Sequence, residues 1–263
     1  MKCAVCIIIF IFFSAYSYSQ IRLPKLEIGR KETYTIKDYD IVVVDSLIMR
    51  DSSFLVLNKL KPENFIHAKV AVFFQGSRID GKGVHGVQGR HGRGGISPLS
   101  PCTDGSPGLI GTEGTNGGPG TNLLLYFSDI VLKGNLLIDV SGGDAGDGGI
   151  GGAGGGGGPG TRLCTGGNGG PGGLGARGGN GGNAGAVTFN SSRIPELRSM
   201  LGGRIVIRNY GGNQGLGGIG GAGGQSGLSP VGNSKLDGKT GRKGSKGKDG
   251  VPGKAGAINF QDK

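Results

Sequence analysis

Gly142-Gly143-Asp144-Ala145-Gly146-Asp147-Gly148-Gly149-Ile150-Gly151-Gly152-Ala153-Gly154-Gly155 is the stretch on which the reading of this chain turns. Glycine occupies every third position from 143 to 158, and a second row of glycines runs beside the first over much of that length. Period three belongs to the polyproline-II helix rather than to an α-helix or a β-strand. Such a helix carries three rows of side chains, and a row of glycines lets another backbone approach closely. Two glycine rows therefore suit a segment with neighbours on several sides. One row suits a segment at an edge.

The same period recurs in six runs, at 83–95, 105–120, 143–158, 166–181, 212–227 and 238–256. Runs three and four, the latter reading Gly166-Gly167-Asn168-Gly169-Gly170-Pro171-Gly172-Gly173-Leu174, carry paired glycines. The second and sixth carry one row for most of their length. The breaks at 96–104, 159–165 and 228–237 shift the glycine frame. Such shifts would interrupt a collagen triple helix, but they suit hairpins whose two arms have nearly equal lengths.

Short apolar segments bracket each pair of runs. Leu137-Ile138-Asp139-Val140 and Ile205-Val206-Ile207-Arg208 open units; Leu124-Leu125-Tyr126-Phe127, Ala186-Val187-Thr188-Phe189 and Ala257-Ile258-Asn259-Phe260 close them. This is an internal repeat with a period of about 60–70 residues. Before it, Ile41-Val42-Val43-Val44, Phe54-Leu55-Val56-Leu57 and Ala68-Lys69-Val70-Ala71-Val72-Phe73 read as strands. The expected fold is an all-β stem, with a short solenoid as one form of it, carrying antiparallel polyglycine-II/polyproline-II helix hairpins in a bundle, and almost no α-helix. The expected organisation is a signal peptide at 1–19, a β region at 20–80, and a glycine-rich region at 81–256 whose hairpin units and bracketing strands span 81–127, 137–189 and 205–260. A terminal strand occupies 257–263.

Composition narrows the class. The chain holds 62 glycines but only 11 prolines in 263 residues, so it meets the collagen glycine rule locally and fails its proline rule. Met1-Lys2, an apolar core over 3–13 and small residues at Ser17 and Ser19 form a secretory signal pattern with cleavage between Ser19 and Gln20. The apolar core is too short to span a bilayer. Cleavage removes Cys3, Cys6 and Lys2, leaving two cysteines and a formal charge of +10 from +11. An even pair in an exported chain favours a disulfide between Cys102 and Cys164, which sit in the first and second breaks.

With the paired glycines and matched arms in view, the chain resembles polyglycine-II bundle proteins, a group that includes a snow-flea antifreeze protein and a phage tail-fibre-tip adhesin. Its sixth run, Gly238-Lys239-Thr240-Gly241-Arg242-Lys243-Gly244-Ser245-Lys246-Gly247-Lys248-Asp249-Gly250, resembles bacterial collagen-like proteins. The resemblance is one of pattern over 81–256. It implies an extracellular structural, adhesive or ice-binding role.

Candidate sites are few. Lys239, Arg242, Lys248 and Lys254 fall on one row of the sixth run, with Lys243 and Lys246 on the next. These six are the candidate contacts for a polyanion such as an acidic surface glycan. No aromatic residue interleaves with them, so nucleic acid is not the expected partner. Asp144 and Asp147 fail the glycine and apolar positions of the calcium-binding nonapeptide and read as solvated carboxylates. His85 and His91 are two turns apart, too far to share a metal. Asp40, Asp45 and Asp51 are the nearest approach to a carboxylate cluster, and nothing pairs them. The expectation is a secreted or cell-surface, non-enzymatic structural or adhesive protein. It would have no cofactor, no metal and no membrane span, and would be monomeric. Its partner would be an anionic glycan or another extracellular protein. A collagen-like trimer and an ice-binding protein are the alternatives.

Overall fold

The computed structural model describes residues 20–230 and 236–261. The signal-peptide expectation, Ser19 included, lies outside these residues; Gln20 opens the first strand. Among the described residues there are eleven strands: β1 Gln20–Ile28, β2 Thr33–Thr35, β3 Ile41–Met49, β4 Phe54–Val56, β5 Glu63–Phe73, β6 Ser77–Asp80, β7 Asn122–Leu132, β8 Leu136–Asp139, β9 Val187–Asn190, β10 Ile205–Arg208 and β11 Ile258–Gln261. One helix, α1 Ile194–Met200, begins with Pro195 in its first turn, where the missing N–H costs nothing.

Successive strands alternate between two sheets. The odd strands β1 to β9 and β11 make one sheet in the order β1-β3-β5-β7-β9-β11, and β10-β8-β6-β4-β2 make the other. Every pairing is parallel, with Ile41, Phe65 and Leu124 in one rank and Leu47, Ala71 and Ile130 in another. Each pair of successive strands is thus one coil of a winding chain.

The core lies between the sheets. Val42, Val44, Leu47, Met49, Ile66, Phe73, Leu123, Leu125 and Phe127 come from the larger sheet, and Leu55, Ile79, Ile138 and Ile205 from the smaller; all are buried. The inward parity slips by one residue at the same rank in three strands. Val44 is followed inward by Leu47, Ala68 by Ala71, and Phe127 by Ile130. The residues skipped in the first two, Asp45 and Lys69, form an ion pair of 2.7 Å on the outer face.

The expected fold class is corrected by this topology. The regular architecture is two parallel β-sheets of six and five strands, not an antiparallel bundle of polyglycine-II/polyproline-II helix hairpins. The all-β expectation holds, with α1 as the one described helix. The physical reason is where apolar area can be buried. Glycine has no side chain to bury, so the driving force resides in the bracketing strands. Those strands stack in register because parallel coils place like residues on one another.

The glycine segments are long excursions from this winding. The turns leading from the smaller sheet to the larger are short in the first coils, at 36–40 and 57–62. They lengthen to 81–121, 140–186 and 209–257 in the last three. A buried asparagine pair braces the short turns: the Asn58 N–H donates to Asn64 Oδ1 at 2.8 Å, and Asn58 Nδ2 donates to the Lys37 and Tyr39 carbonyls.

Candidate functional site

Neither strand nor helix, the glycine segments are bonded to one another through their backbones. Gly83, Gly86, Gly89, Gly92 and Gly95 donate to the carbonyls of Ser141, Asp144, Asp147, Ile150 and Ala153 at 2.7–2.9 Å. Numbers rise together there, so segments 81–95 and 142–158 run the same way. Leu109, Thr112 and Thr115 donate to Arg93, Arg90 and Val87, so 105–120 runs back against 81–95. The same two relations link all six segments.

They form two layers that continue the two sheets. Segments 81–95, 142–158 and 211–227 leave the smaller sheet and lie side by side. Segments 105–120, 166–185 and 238–256 return to the larger sheet and form the second layer. The two middle segments bond to four neighbours each and carry two glycine rows. Terminal segments 81–95 and 238–256 bond to two each and carry one. Close approach explains the glycines: a Cβ at Gly152 would stand 1.9 Å from the Arg93 carbonyl oxygen.

At the far end of the excursions, Cys102 and Cys164 are joined in a disulfide with Cα atoms 6.1 Å apart. At the near end, Asp139 is buried and accepts from Arg78 at 3.0 Å and from the Ser141 hydroxyl at 2.6 Å. This ion pair sits where β8 passes into 142–158.

A side-chain device that the sequence did not announce covers the outer faces. Outward residues have an N–H that no backbone carbonyl reaches. In many places an Asn or Asp of the adjacent segment accepts it, while the next N–H after that Asn or Asp donates to the same residue's carbonyl. Asp104 Oδ1 accepts from the Asn168 N–H at 2.6 Å, and Gly105 donates to the Asn168 carbonyl at 2.8 Å. Asn168 in turn brackets Lys239, with both bonds 2.8 Å. Asn116 brackets Asn180, Asn180 brackets Val251, and Asn183 brackets Lys254. On the opposite face Asp144 brackets Asn213 and Asp147 brackets Leu216. These carboxylates are therefore structural acceptors, not merely solvated groups.

The two histidines of the first run differ: His91 brackets Ile150, and His85 does not bracket its neighbour. His91 Nδ1 accepts from the Ile150 N–H at 3.0 Å, and His85 lies 3.4 Å from Asp144 Oδ2. Among the described residues there is no group of three or more His, Cys, Asp or Glu placed to hold a metal ion.

The basic residues separate into two groups. Lys239, Arg242, Lys248 and Lys254 share one exposed row on the outer face of the second layer. The brackets put that row beside Asn168, Asn180 and Asn183, and Arg177 falls on the same middle row. None of these five cations makes an ion pair with a described residue. The carboxylates of this face, Asp104 and Glu113, lie on the farthest row. Lys243 and Lys246 fall on the adjacent row at the layer's edge. Lys246 bonds Asp249 at 2.9 Å, and Asp249 also accepts from the Gly217 N–H at 2.7 Å. That backbone bond, followed by the Lys246 ammonium, holds the Asp249 carboxyl below its usual range.

The acidic residues of the stem do not assemble as a set. Asp45 pairs with Lys69, and Asp51 accepts from the Gln75 N–H at 3.2 Å. Asp40 instead lines a shallow cavity of about 480 Å³ together with Gln20, Glu63 and Phe65. Glu63 was not anticipated, because its nearness to Asp40 follows from the register of β3 on β5. No described helix is long and apolar enough to cross a membrane.

No family model matches the chain, and no curated protein matches it. The resemblance to bacterial collagen-like proteins therefore has no family support. A solved structure that does match is a springtail antifreeze protein from Granisotoma rainieri, described as a nine polyproline type II helical bundle. Identity is 21%, over 69% of this chain and 95% of that one, with a TM-score of 0.12. At that score the likeness says nothing about this chain's fold or role.

Proposed function

We propose that this is a secreted, non-catalytic structural or adhesive protein whose second glycine layer presents a cationic face to an anionic polymer, an acidic surface glycan being the fitting class. One observation carries the reading: Lys239, Arg242, Lys248 and Lys254 stand on one exposed row, with Arg177 beside them, and all five lack ion partners among the described residues. An extended chain advances about 3.1–3.4 Å per residue, so Lys239 and Arg242 stand about 9–10 Å apart, and Arg242, Lys248 and Lys254 about 19–20 Å apart. Charges set at multiples of one repeat along a straight row suit a polymer with repeating charge better than a compact anion. The chain's own segments already occupy the glycine rows that a collagen-like trimer would need, which supports a monomer.

The test uses the mature, disulfide-intact protein on immobilised polygalacturonate, with neutral dextran as control. Retention on the acidic polymer alone is expected, falling steeply as salt rises. Replacing Lys239, Arg242, Lys248 and Lys254 together with Gln should weaken binding at least about 10-fold, since each such contact is worth on the order of 0.5 kcal/mol or more. Equal retention on dextran, or an unaffected quadruple variant, would overturn the reading. Sequencing the secreted protein from its amino end should begin at Gln20.

The opposite face favours a second reading. Two of its ranks toward the far end, His91/Ile150/Ile219 and Gly94/Ala153/Ala222, carry no charged residue and are apolar or small apart from His91, while nearer the strands the same rows hold Lys82, Asp144 and Asp147. Such an array fits the ice-binding alternative, and measurable thermal hysteresis with ice shaping would support it. Unaltered ice growth at high protein concentration would remove it.

A further inference from the structure

Three of the bracketing asparagines precede glycine: Asn116-Gly117, Asn168-Gly169 and Asn180-Gly181. In this dipeptide the glycine nitrogen can attack the asparagine Cγ. A new N–C bond closes a five-membered imide, the Cγ–Nδ2 bond breaks, and the side-chain nitrogen leaves as ammonia with the proton from the glycine nitrogen. Water then opens the imide to aspartate or isoaspartate. Glycine permits this because it has no side chain to hinder the attacking nitrogen.

From the geometry we infer that these three asparagines are latent, enzyme-independent deamidation sites, closed while the layers are intact, whose reaction removes charge from the cationic face. Both reacting groups are engaged with one residue across the layer. Asn116 Oδ1 accepts from the Asn180 N–H at 2.7 Å, while Gly117 donates to the Asn180 carbonyl at 2.9 Å. Asn168 and Gly169 hold Lys239 in the same way, with both bonds at 2.8 Å. Asn180 and Gly181 hold Val251 at 3.0 and 2.9 Å. Two further contacts pin the side chains: Arg177 donates to Asn180 Oδ1 at 3.3 Å, and Asn168 Nδ2 donates to Asp104 Oδ2 at 3.4 Å. To cyclise, each site must give up both bracket bonds. Two bonds of ordinary net worth correspond to roughly 10- to 100-fold slower reaction than in the open chain.

The products differ in consequence. Aspartate keeps the acceptor oxygen, and Asp104, Asp144 and Asp147 already hold equivalent brackets with a carboxylate; at 168 alone it also loses the bond to Asp104 Oδ2 and faces that carboxylate. It adds one negative charge per site on the face that carries Lys239, Arg242, Arg177, Lys248 and Lys254. Isoaspartate lengthens the backbone by one carbon and throws the triplet register of that segment. At 116 and 180 the first product would weaken binding without opening the layers, and the second would open them.

The structural inference is independent of the proposed function; only its effect on binding rests on that reading. The test ages the full mature protein at mildly alkaline pH, once disulfide-intact below its melting temperature and once reduced, alkylated and thermally opened. Peptide mass mapping then follows Asn116, Asn168 and Asn180. All three should convert at least about 10-fold more slowly in the intact protein. Equal rates in the two forms would overturn the inference, whatever the glycan experiment shows. A double variant with Asn116 and Asn180 replaced by Asp supplies the second arm; position 168 is left as Asn because a carboxylate there would face Asp104 Oδ2. It should melt within about 2 °C of the parent while binding polygalacturonate more weakly. If it melts far below the parent, a carboxylate does not replace the asparagine in these brackets and the silent-product step is wrong. If it melts like the parent and binds equally well, the charge-removal step is wrong while the shielding result stands.

Discussion

Replacing Gly152 with Ala should open the layers locally, whereas replacing Gly94 with Ala should not. The difference lies in what a single methyl group meets. At Gly152 the new Cβ would stand 1.9 Å from the Arg93 carbonyl oxygen and 2.4 Å from its carbon, where ordinary contact begins at 3.4 Å. The two segments would have to separate by about 1.5 Å, and backbone on both sides leaves no flexible group to yield. That displacement stretches the bond from Gly92 to the Ile150 carbonyl and that from Gly95 to Ala153, both 2.7 Å. It also disturbs the bond from Gly173 to the Gly152 carbonyl, likewise 2.7 Å. At about 0.5–1.5 kcal/mol per lost bond, the cost is about 2–4 kcal/mol. For a chain of this size that lowers Tm by about 5–15 °C. At Gly94 the nearest atom is the Ala153 oxygen at 3.6 Å, and the described glycines with positive φ are Gly76 and Gly202. Alanine fits there without strain and restricts the unfolded chain, so Gly94→Ala should be neutral or stabilise by up to about 1 kcal/mol. Scanning calorimetry of both disulfide-intact variants is the assay. Melting temperatures within 2 °C of each other would refute the claim that close backbone approach dictates which glycines are needed.

Reduction of the bond between Cys102 and Cys164, 62 residues apart, should cost about 4 kcal/mol in the chain-entropy view, read as a fall in denaturation midpoint on adding reductant; an unchanged midpoint would show that the segment tips are ordered without it. Asp139→Ala should destabilise by about 1–2 kcal/mol, because it removes the acceptor of both Arg78 and the Ser141 hydroxyl at the root of 142–158; Arg78 is partly exposed and keeps Asp80 at 3.1 Å, which moderates the loss. Urea titrations that place this variant within 0.5 kcal/mol of the parent would contradict that. For Asp249 the folded carboxyl titrates below its ordinary value, so its contribution is present above about pH 4 and lost as pH falls through the lowered value. Asp249→Asn should therefore flatten part of the acid limb of the stability profile, and two superimposable profiles would count against the Gly217 and Lys246 contacts.

How much could be read beforehand depends on the range of each interaction. Row counts within a run are local: the two glycine rows of 142–158 are visible in the triplets and mark the segment that bonds on four sides. The apolar strands are local too, through their β-branched residues and length. Their parallel stacking is not, because Ile41 on Phe65 on Leu124 is a choice of register among strands that look alike. The abundance of glycine drew the fold assignment toward the excursions. A few dozen apolar side chains at the other end hold the buried core and decide the architecture.

The site divides along the same line. A row of cations at every third or sixth residue shows its shared face from spacing alone, so Lys239, Arg242, Lys248 and Lys254 could be grouped in advance. The brackets could not be found that way. Asn168 reaches Lys239 across 71 residues and Asp104 reaches Asn168 across 64, and the two separations differ because the excursions differ in length. Only the stacked coils set those offsets. Yet one trace does stand in the sequence: Asn or Asp directly before a glycine-row residue, repeated in successive runs at near-equal depth from the strands. An outward N–H on an extended segment has no backbone acceptor within its own layer, and leaving it unmet in a crowded face is costly. Water serves at the edges. In the middle of a layer, the side chain that precedes the glycine is the group with the reach to meet it. The charge pattern of the face is thus built on a hydrogen-bonding requirement: short acceptors stand on the first and middle rows, and the long cations, Arg177 excepted, are left to the last row, where nothing further has to be bracketed.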